Sequence, residues 1–198
     1  MARLTGVTEG NAGVVMKVLY RFMRRGMRAL AGRSPERGLE PLEMFAVLPR
    51  LLRAYGRLEQ ATTKLGGTDR RTHALATLKA ATLTQCEYCI DIGSAIARRW
   101  GLTDEEMVAL PVHPTSDVFS AVDKLVLDYA AGMSRTPVQV PDELFAALCQ
   151  HFSEAQIVEL THLIALENYR GRFNLALGIG AAGFSEGLVC AVPVGAGG

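Results

Sequence analysis

Apolar residues recur at spacings of three and four along most of the chain, and no segment shows the alternating, β-branched pattern of a strand. The first spacing is that of an α-helix with one buried face, whereas alternation would indicate a half-buried strand. At 198 residues, of which 49% are hydrophobic and 21% charged, the chain is long enough to bury one substantial core. We therefore predict an all-α fold in a single domain over residues 1–198.

Start and stop signals divide this pattern into separate helices. Gly101 is a helix terminator, and Thr103 with Glu106 and Ser153 with Gln156 have capping-box spacing. The predicted helices cover residues 14–30, 42–65 with a break or kink at Pro49, 71–84, 90–100, 117–133, 142–150 and 154–177, with one more starting after Thr103. We expect the core at about residues 40–190, and flexible ends at 1–13 and 191–198.

The net charge of +1 conceals an asymmetry between the two halves of the chain. Residues 1–100 carry 17 Lys and Arg against 8 Asp and Glu, whereas residues 101–198 carry 4 against 12. This complementarity favours packing of the halves, or of neighbouring subunits, over a polyanionic partner. We therefore expect no nucleic acid partner.

The predicted helix over 14–30 is amphipathic and basic. Its cationic side carries Lys17, Arg21, Arg24, Arg25 and Arg28, and the other side carries Val15, Leu19, Phe22, Met23 and Leu30. We interpret it as a solvated cationic face on a helix that packs on its own domain. The alternative is a helix lying on an anionic membrane surface.

No apolar run approaches the roughly 18–20 residues that cross a bilayer, and the N-terminus lacks the residue order of a secretory signal. Four cysteines, of which two form a C-x-x-C, are too few and too unevenly spread for a disulfide scaffold. We therefore expect a cytoplasmic protein in a reducing compartment, without a membrane partner.

The sequence C-E-Y-C at 86–89 holds the one pair of cysteines that are close in sequence. The motif is predicted to begin a helix, where free N–H groups and the helix dipole favour a thiolate, so Cys86 is a candidate nucleophile and Cys89 a resolving thiol. The alternatives are a pair retained for packing and a zinc site. Zinc would need two further ligands, and only Cys149 and His151 are near-matched, so we expect no metal. Cys149 and Cys190 are interpreted as ordinary buried or tail cysteines.

The order helix, turn, C-x-x-C, helix and then G-L-T-D-E-E at 101–106 resembles the carboxymuconolactone decarboxylase and alkylhydroperoxidase D-like superfamily. The similarity is clearest over residues 68–110, and residues 160–174 are similar to the later long helix of that family. The resemblance implies an all-helical homo-oligomer, as a dimer, trimer or hexamer, with no cofactor. In the peroxidase branch it also implies a disulfide-cycling pair at Cys86 and Cys89, with a thioredoxin-like protein or a dithiol as electron donor.

Two positions depart from the peroxidase branch, which places a glutamate twelve residues before the first cysteine and a histidine four after the second. Here they are Ala74 and Gly93. Loss of such a general acid and base typically lowers a rate by about 10²–10⁴-fold. The candidates to replace them are Glu167, in the polar cluster at 166–174, and His73, which points about 100° around the helix from position 74.

We therefore expect a thiol–disulfide oxidoreductase that reduces peroxides. The helix start favours Cys86 as the first sulfur to react, whereas the family relay serves the second cysteine, so this order stays open. One alternative is a non-redox protein of the same family that binds a small molecule or a partner. Another is a decarboxylase or hydrolase of a small lactone acid, with a cavity lined by His162, Asn168 and Arg172.

Overall fold

The computed structural model describes residues 2–193, which contain α-helices and two short 3-10 helices but no β-strand. The α-helices are α1 (Val14–Ala31), α2 (Glu40–Phe45), α3 (Pro49–Thr62), α4 (Arg70–Thr84), α5 (Glu87–Arg99), α6 (Asp104–Ala109), α7 (Ala121–Ser134), α8 (Asp142–Cys149) and α9 (Glu154–Leu177). The 3-10 helices are Glu36–Leu39 and Leu110–Val112. The all-α prediction is confirmed, and no helix among these residues is long and apolar enough to span a bilayer.

Most predicted helix boundaries agree with the structure to within a residue or two, and both capping boxes are formed. The break predicted at Pro49 separates α2 from α3. Two helix starts were wrong. The helix expected from 117 begins at Ala121 because Ser120 caps it, and the helix expected from 90 begins at Glu87 because Cys86 caps it.

Helix α4 is the centre of the bundle and packs against α5, α7 and α9. Its buried residues include several alanines, which allow neighbouring helices to approach closely. The closest approach of a glycine to α4 is at Gly171 of α9, where a Cβ would lie 2.7 Å from Thr84 Oγ1 and 3.0 Å from Thr84 Cβ. No side chain fits between α9 and the C-terminal end of α4 at this position.

The segment after α9 is held along α5 by one buried carboxylate. Asp91 Oδ2 accepts the backbone N–H groups of Ala182, Gly183 and Phe184 at 2.9, 2.7 and 3.0 Å, and Oδ1 accepts that of Ser185 at 2.7 Å. The backbone N–H of Ala191, where flexibility was predicted to begin, donates to a serine hydroxyl of α5 at 3.0 Å. Residues 194–198 of the predicted flexible end lie outside the described part of the chain.

The N-terminal segment, also predicted to be flexible, contacts the bundle through its backbone. The N–H of Arg3 donates to Leu177 O at 2.8 Å, and the N–H of Val7 donates to Glu43 O at 2.9 Å.

Helix α1 packs through a different side from the one that the sequence indicated. Its inner side is formed by Tyr20, which is fully buried, with Met16, Met23 and Met27 around it. Val15 and Phe22, which were expected to pack on the domain, are 82% and 69% exposed. That prediction was wrong because α1 carries apolar residues on two sides and only the Tyr20 side meets the bundle.

Candidate functional site

The turn between α4 and α5 places the C-x-x-C at a helix start, as predicted. Gln85 ends α4 in the left-handed conformation (φ +55°), and Cys86 follows as the N-cap of α5. Cys86 Sγ accepts the backbone N–H of Cys89 at 3.2 Å, which is the role that a serine or aspartate oxygen plays at most helix starts. The sulfur therefore lies at the positive end of the α5 dipole.

Cys86 and Cys89 form a disulfide, with Cα atoms 5.2 Å apart. Cys86 is fully buried, and Cys89 is 4% exposed. Because Cys86 is in the extended N-cap conformation rather than inside the helix, the two side chains converge without breaking a hydrogen bond of α5.

Asn174 of α9 supplies the polar group nearest to the pair. Its Nδ2 atom lies 3.5 Å from Cys89 Sγ and 3.7 Å from Cys86 Sγ, and the residue is buried. The sequence pattern did not single out Asn174, because an amide has no acid–base role. The available signal was its place at the end of the polar cluster at 166–174, within an otherwise apolar helix.

Ala74 and Gly93 occupy the two positions that carry the relay in the peroxidase branch, and the structure does not confirm either of the residues predicted to replace them. A Cβ at position 93 would meet Leu78 Cδ1 at 3.2 Å, so the space available to a side chain there is apolar. His73 is buried, and its Nε2 atom lies 2.6 Å from Glu159 Oε1. The hydrogen-bond partner of His73 is therefore α9 rather than a sulfur, and its catalytic role stays a prediction.

Glu159 is the centre of a network that joins the N-terminus of α4 to α9. It accepts the backbone N–H groups of Gly67 and Thr68, the Thr68 hydroxyl and the His73 ring. Burial alone would raise the pKa of this carboxyl, but the hydrogen bonds from Thr68, His73 and Gly67 lower the pKa to about 2. The carboxylate therefore stays ionised, as an acceptor of these bonds.

Glu167 lies in a second network, which joins α3 to α9. Arg170 donates to Glu167 at 2.9 Å, to Glu59 at 2.6 and 3.0 Å and to the Tyr55 hydroxyl at 3.2 Å. Burial raises the pKa of Glu167, and Arg170 opposes this. The hydrogen bond of Glu167 goes to Arg170 and not to a cysteine, so its proposed proton-transfer role also stays a prediction.

The three side chains expected to line a lactone cavity have separate partners. Asn168 donates to Ser134 at 3.0 Å and Arg172 to Thr136 at 3.1 Å, whereas His162 bonds Thr62 at 2.8 Å on α3. His162 instead borders an apolar groove of about 420 Å³ between α3 and α9. Neither Asn168 nor Arg172 lines that groove.

The other two cysteines are free thiols. Cys149 is exposed, so its expected burial was wrong, and the reason is that it ends α8 on the outer side. Cys190 is partly buried. Among residues 2–193, no three His, Cys, Asp or Glu side chains form a group that could hold a metal ion.

Comparison with known proteins places this arrangement in a family. Residues 49–131, which include the C-x-x-C, match the model of the carboxymuconolactone decarboxylase family. The chain is 36% identical over 126 residues to the uncharacterized protein YnjA of Escherichia coli (strain K12), covering 63% of this chain and 66% of that protein. It is 30% identical over 121 residues to the uncharacterized protein YdfG of Bacillus subtilis (strain 168), covering 61% and 82%.

Two solved structures share the fold. The debrominase Bmp8 in complex with 2,3,4-tribromopyrrole superposes with a TM-score of 0.72 at 22% identity, over 90% of this chain and 92% of that one. The alkylhydroperoxidase AhpD core of an uncharacterized peroxidase-related protein from Ralstonia eutropha JMP134 gives 0.69 at 20% identity, over 90% of both chains. The chain belongs to the carboxymuconolactone decarboxylase family, and it carries its C-x-x-C pair in an AhpD-like fold.

Proposed function

We propose that this protein is a thiol–disulfide oxidoreductase that reduces peroxides through Cys86 and Cys89. The observation that carries the proposal is the pair of sulfurs joined at the N-terminus of α5, with the Asn174 amide within hydrogen-bonding distance of both. A pair in this position passes between dithiol and disulfide without unfolding the helix.

The reaction has three balanced steps. A thiolate attacks the peroxide O–O bond, which gives a sulfenic acid and an alkoxide that takes up a proton to become an alcohol, or water when the substrate is hydrogen peroxide. The second thiol attacks the sulfenic sulfur, and the disulfide forms with release of water. A dithiol donor then reduces the disulfide and is itself oxidised to a disulfide.

The contacts described around the pair supply electrostatic stabilisation of a thiolate. The N–H of Cys89 and the α5 dipole stabilise negative charge on Cys86 Sγ, and the Asn174 amide donates toward both sulfurs. With Ala74 and Gly93 at the relay positions, the proton for the alkoxide comes from the second thiol or from water unless His73 or Glu167 supplies it as predicted above. This predicts a slower peroxidase than one with a general acid at this site.

Burial gives the two sulfurs different roles in the reducing step. Cys89 is 4% exposed and Cys86 is fully buried, so we expect the donor thiol to attack Cys89. Cys86 then leaves as the thiolate that the N-terminus of α5 stabilises, and a stabilised thiolate leaves faster. Which sulfur attacks the peroxide is left to the variants described next.

The test counts thiols. The reduced protein has four cysteines, and one equivalent of hydrogen peroxide should remove two thiols and yield a Cys86–Cys89 disulfide on peptide mapping. Cys86→Ser and Cys89→Ser should abolish this, and the variant that still accumulates a sulfenic acid identifies the attacking sulfur. Cys149→Ser is the matched control, since Cys149 is an exposed thiol outside the site. Unchanged thiol loss in both single variants would refute the proposal and favour a non-redox binding protein.

A second candidate is reductive removal of bromine from an aromatic ring, because the fold of a debrominase covers 90% of this chain. In this reaction one aryl bromide and two thiols would give the arene, the disulfide and hydrogen bromide. Incubating the reduced protein with 2,3,4-tribromopyrrole in place of peroxide tests it. Bromide release with loss of two thiols supports this candidate, and intact tribromopyrrole excludes it.

A further inference from the structure

Helix α1 presents an outer face that the proposed chemistry does not use. We define the α1 outer face as two neighbouring strips of side chains. One is apolar, the other cationic, and together they comprise Val15, Val18 and Phe22 with Lys17, Arg21, Arg25 and Arg28. At 100° per residue the centres of the two strips are about a quarter turn apart on the helix.

The apolar strip is left open to solvent. Val15, Val18 and Phe22 are 82%, 59% and 69% exposed, while the opposite side of α1 packs around Tyr20. Single exposed apolar residues are ordinary, but three at spacings of three and four form one continuous strip. Contiguous exposed apolar surface of this kind indicates an interaction site.

The cationic strip is not neutralised within the described part of the chain. Of the basic residues on α1, Arg24 pairs with Glu9 at 3.0 Å and also donates to the backbone of the following turn. The basic residues of the strip itself form no salt bridge with any residue from 2 to 193. With Arg24 and Glu9 they border a cleft of about 540 Å³.

We propose that the α1 outer face docks on anionic phospholipid, with Phe22 and the two valines in the boundary between headgroups and acyl chains. A helix with Phe on one strip and Lys and Arg beside it lies in the plane of a membrane interface, where the long cationic stems reach the phosphates. Lipid phosphates also supply the negative charge that the cationic strip lacks within the described part of the chain.

A second copy of the chain that meets this face by two-fold symmetry is a poorer occupant. In a two-fold dimer the same patch meets itself, so the cationic strips of the two copies would lie against each other without counter-charges. An anionic membrane supplies those charges, and each Lys or Arg near such a surface contributes about fivefold to binding, equivalent to about 1 kcal/mol.

The experiment measures co-sedimentation of the full chain with vesicles of phosphatidylcholine alone and of an equimolar mixture of phosphatidylcholine and phosphatidylglycerol. We expect binding to the mixture, little to phosphatidylcholine, and weakening by added salt. Arg21→Gln with Arg25→Gln should lower the partition coefficient about 30-fold at low salt. Val18→Ser with Phe22→Ser keeps every charge and should lower it roughly tenfold or more.

The control is Arg50→Gln with Arg53→Gln, which removes the same charge from exposed positions on α3 and should change binding less than about twofold. Circular dichroism checks that each variant folds. Equal loss in this control, unchanged binding of the serine variant, or no binding to the mixed vesicles would each overturn the proposal. It would also fail if the serine variant changed the sedimentation-velocity mass, because the face would then be an interface between copies.

Discussion

Asp91→Asn is expected to release the segment that covers α5. In the wild type, one carboxylate oxygen accepts three backbone N–H groups and the other accepts the N–H of Ser185. The asparagine carbonyl can keep the three bonds, but each changes from a charged to a neutral acceptor and loses about 1 kcal/mol. Its NH₂ group then faces the Ser185 N–H, and two buried donors without an acceptor cost about 1–3 kcal/mol. The expected destabilisation is about 4–6 kcal/mol.

Two measurements check this prediction. Chemical denaturation gives the loss of unfolding free energy, and a melting temperature lower by about 10–20 °C should accompany it in a chain of this size. Hydrogen exchange should show the amides at 182–185 losing protection before those of α4, because their acceptor has changed. Asp117→Asn makes the same charge change at an exposed position and is the control. A loss below about 1 kcal/mol, or unchanged protection at 182–185, would refute the reasoning.

The remaining predictions concern α9. Asn174→Ala should slow peroxide-driven disulfide formation about tenfold, because one charge-assisted hydrogen bond is lost, whereas Asn168→Ala, equally buried, should not. Stopped-flow measurement of disulfide formation separates them, and equal rates would contradict the role of Asn174. The pKa of Glu159 in the folded protein is about 2, below the ordinary value of 4.5. Its contribution to the free energy of unfolding is therefore present above pH 4.5 and is lost as the pH falls from there toward 2. Glu159→Gln should lower stability at pH 7 by about 3 kcal/mol and flatten the acid limb of the stability profile measured in urea, and an unchanged limb would argue against this.

The helices could be predicted because local contacts between neighbouring residues determine where many of them begin and end. Thr103 with Glu106 and Ser153 with Gln156 each satisfy a helix start within four residues, and Gly101 takes the left-handed conformation that ends a helix (φ +98°). These contacts need no knowledge of the tertiary structure. The start of α5, expected at residue 90, lies at Glu87 instead because its N-cap is Cys86, which is not one of the usual capping residue types.

What could not be predicted depends on pairs that are far apart in the chain. Asp91 meets backbone groups more than 90 positions later, and Asn174 reaches sulfurs more than 80 positions earlier. No sequence pattern around an aspartate or an asparagine indicates which distant group it will bond. For α1 the difficulty was orientation, because apolar residues occupy two sides and only tertiary packing decides that Tyr20 faces inward.

The close contact of Gly171 with Thr84 makes the geometry around the redox pair depend on the spacing between α9 and α4. Thr84 lies two residues before Cys86, and Gly171 lies one helical turn before Asn174, so the same crossing sets how far the amide stands from the sulfurs. A methyl group at 171 would push α9 and the end of α4 apart and so change the distance between the Asn174 amide and the two sulfurs. A substitution at a glycine, which has no reactive group, would therefore be enough to change the reactivity of the cysteine pair.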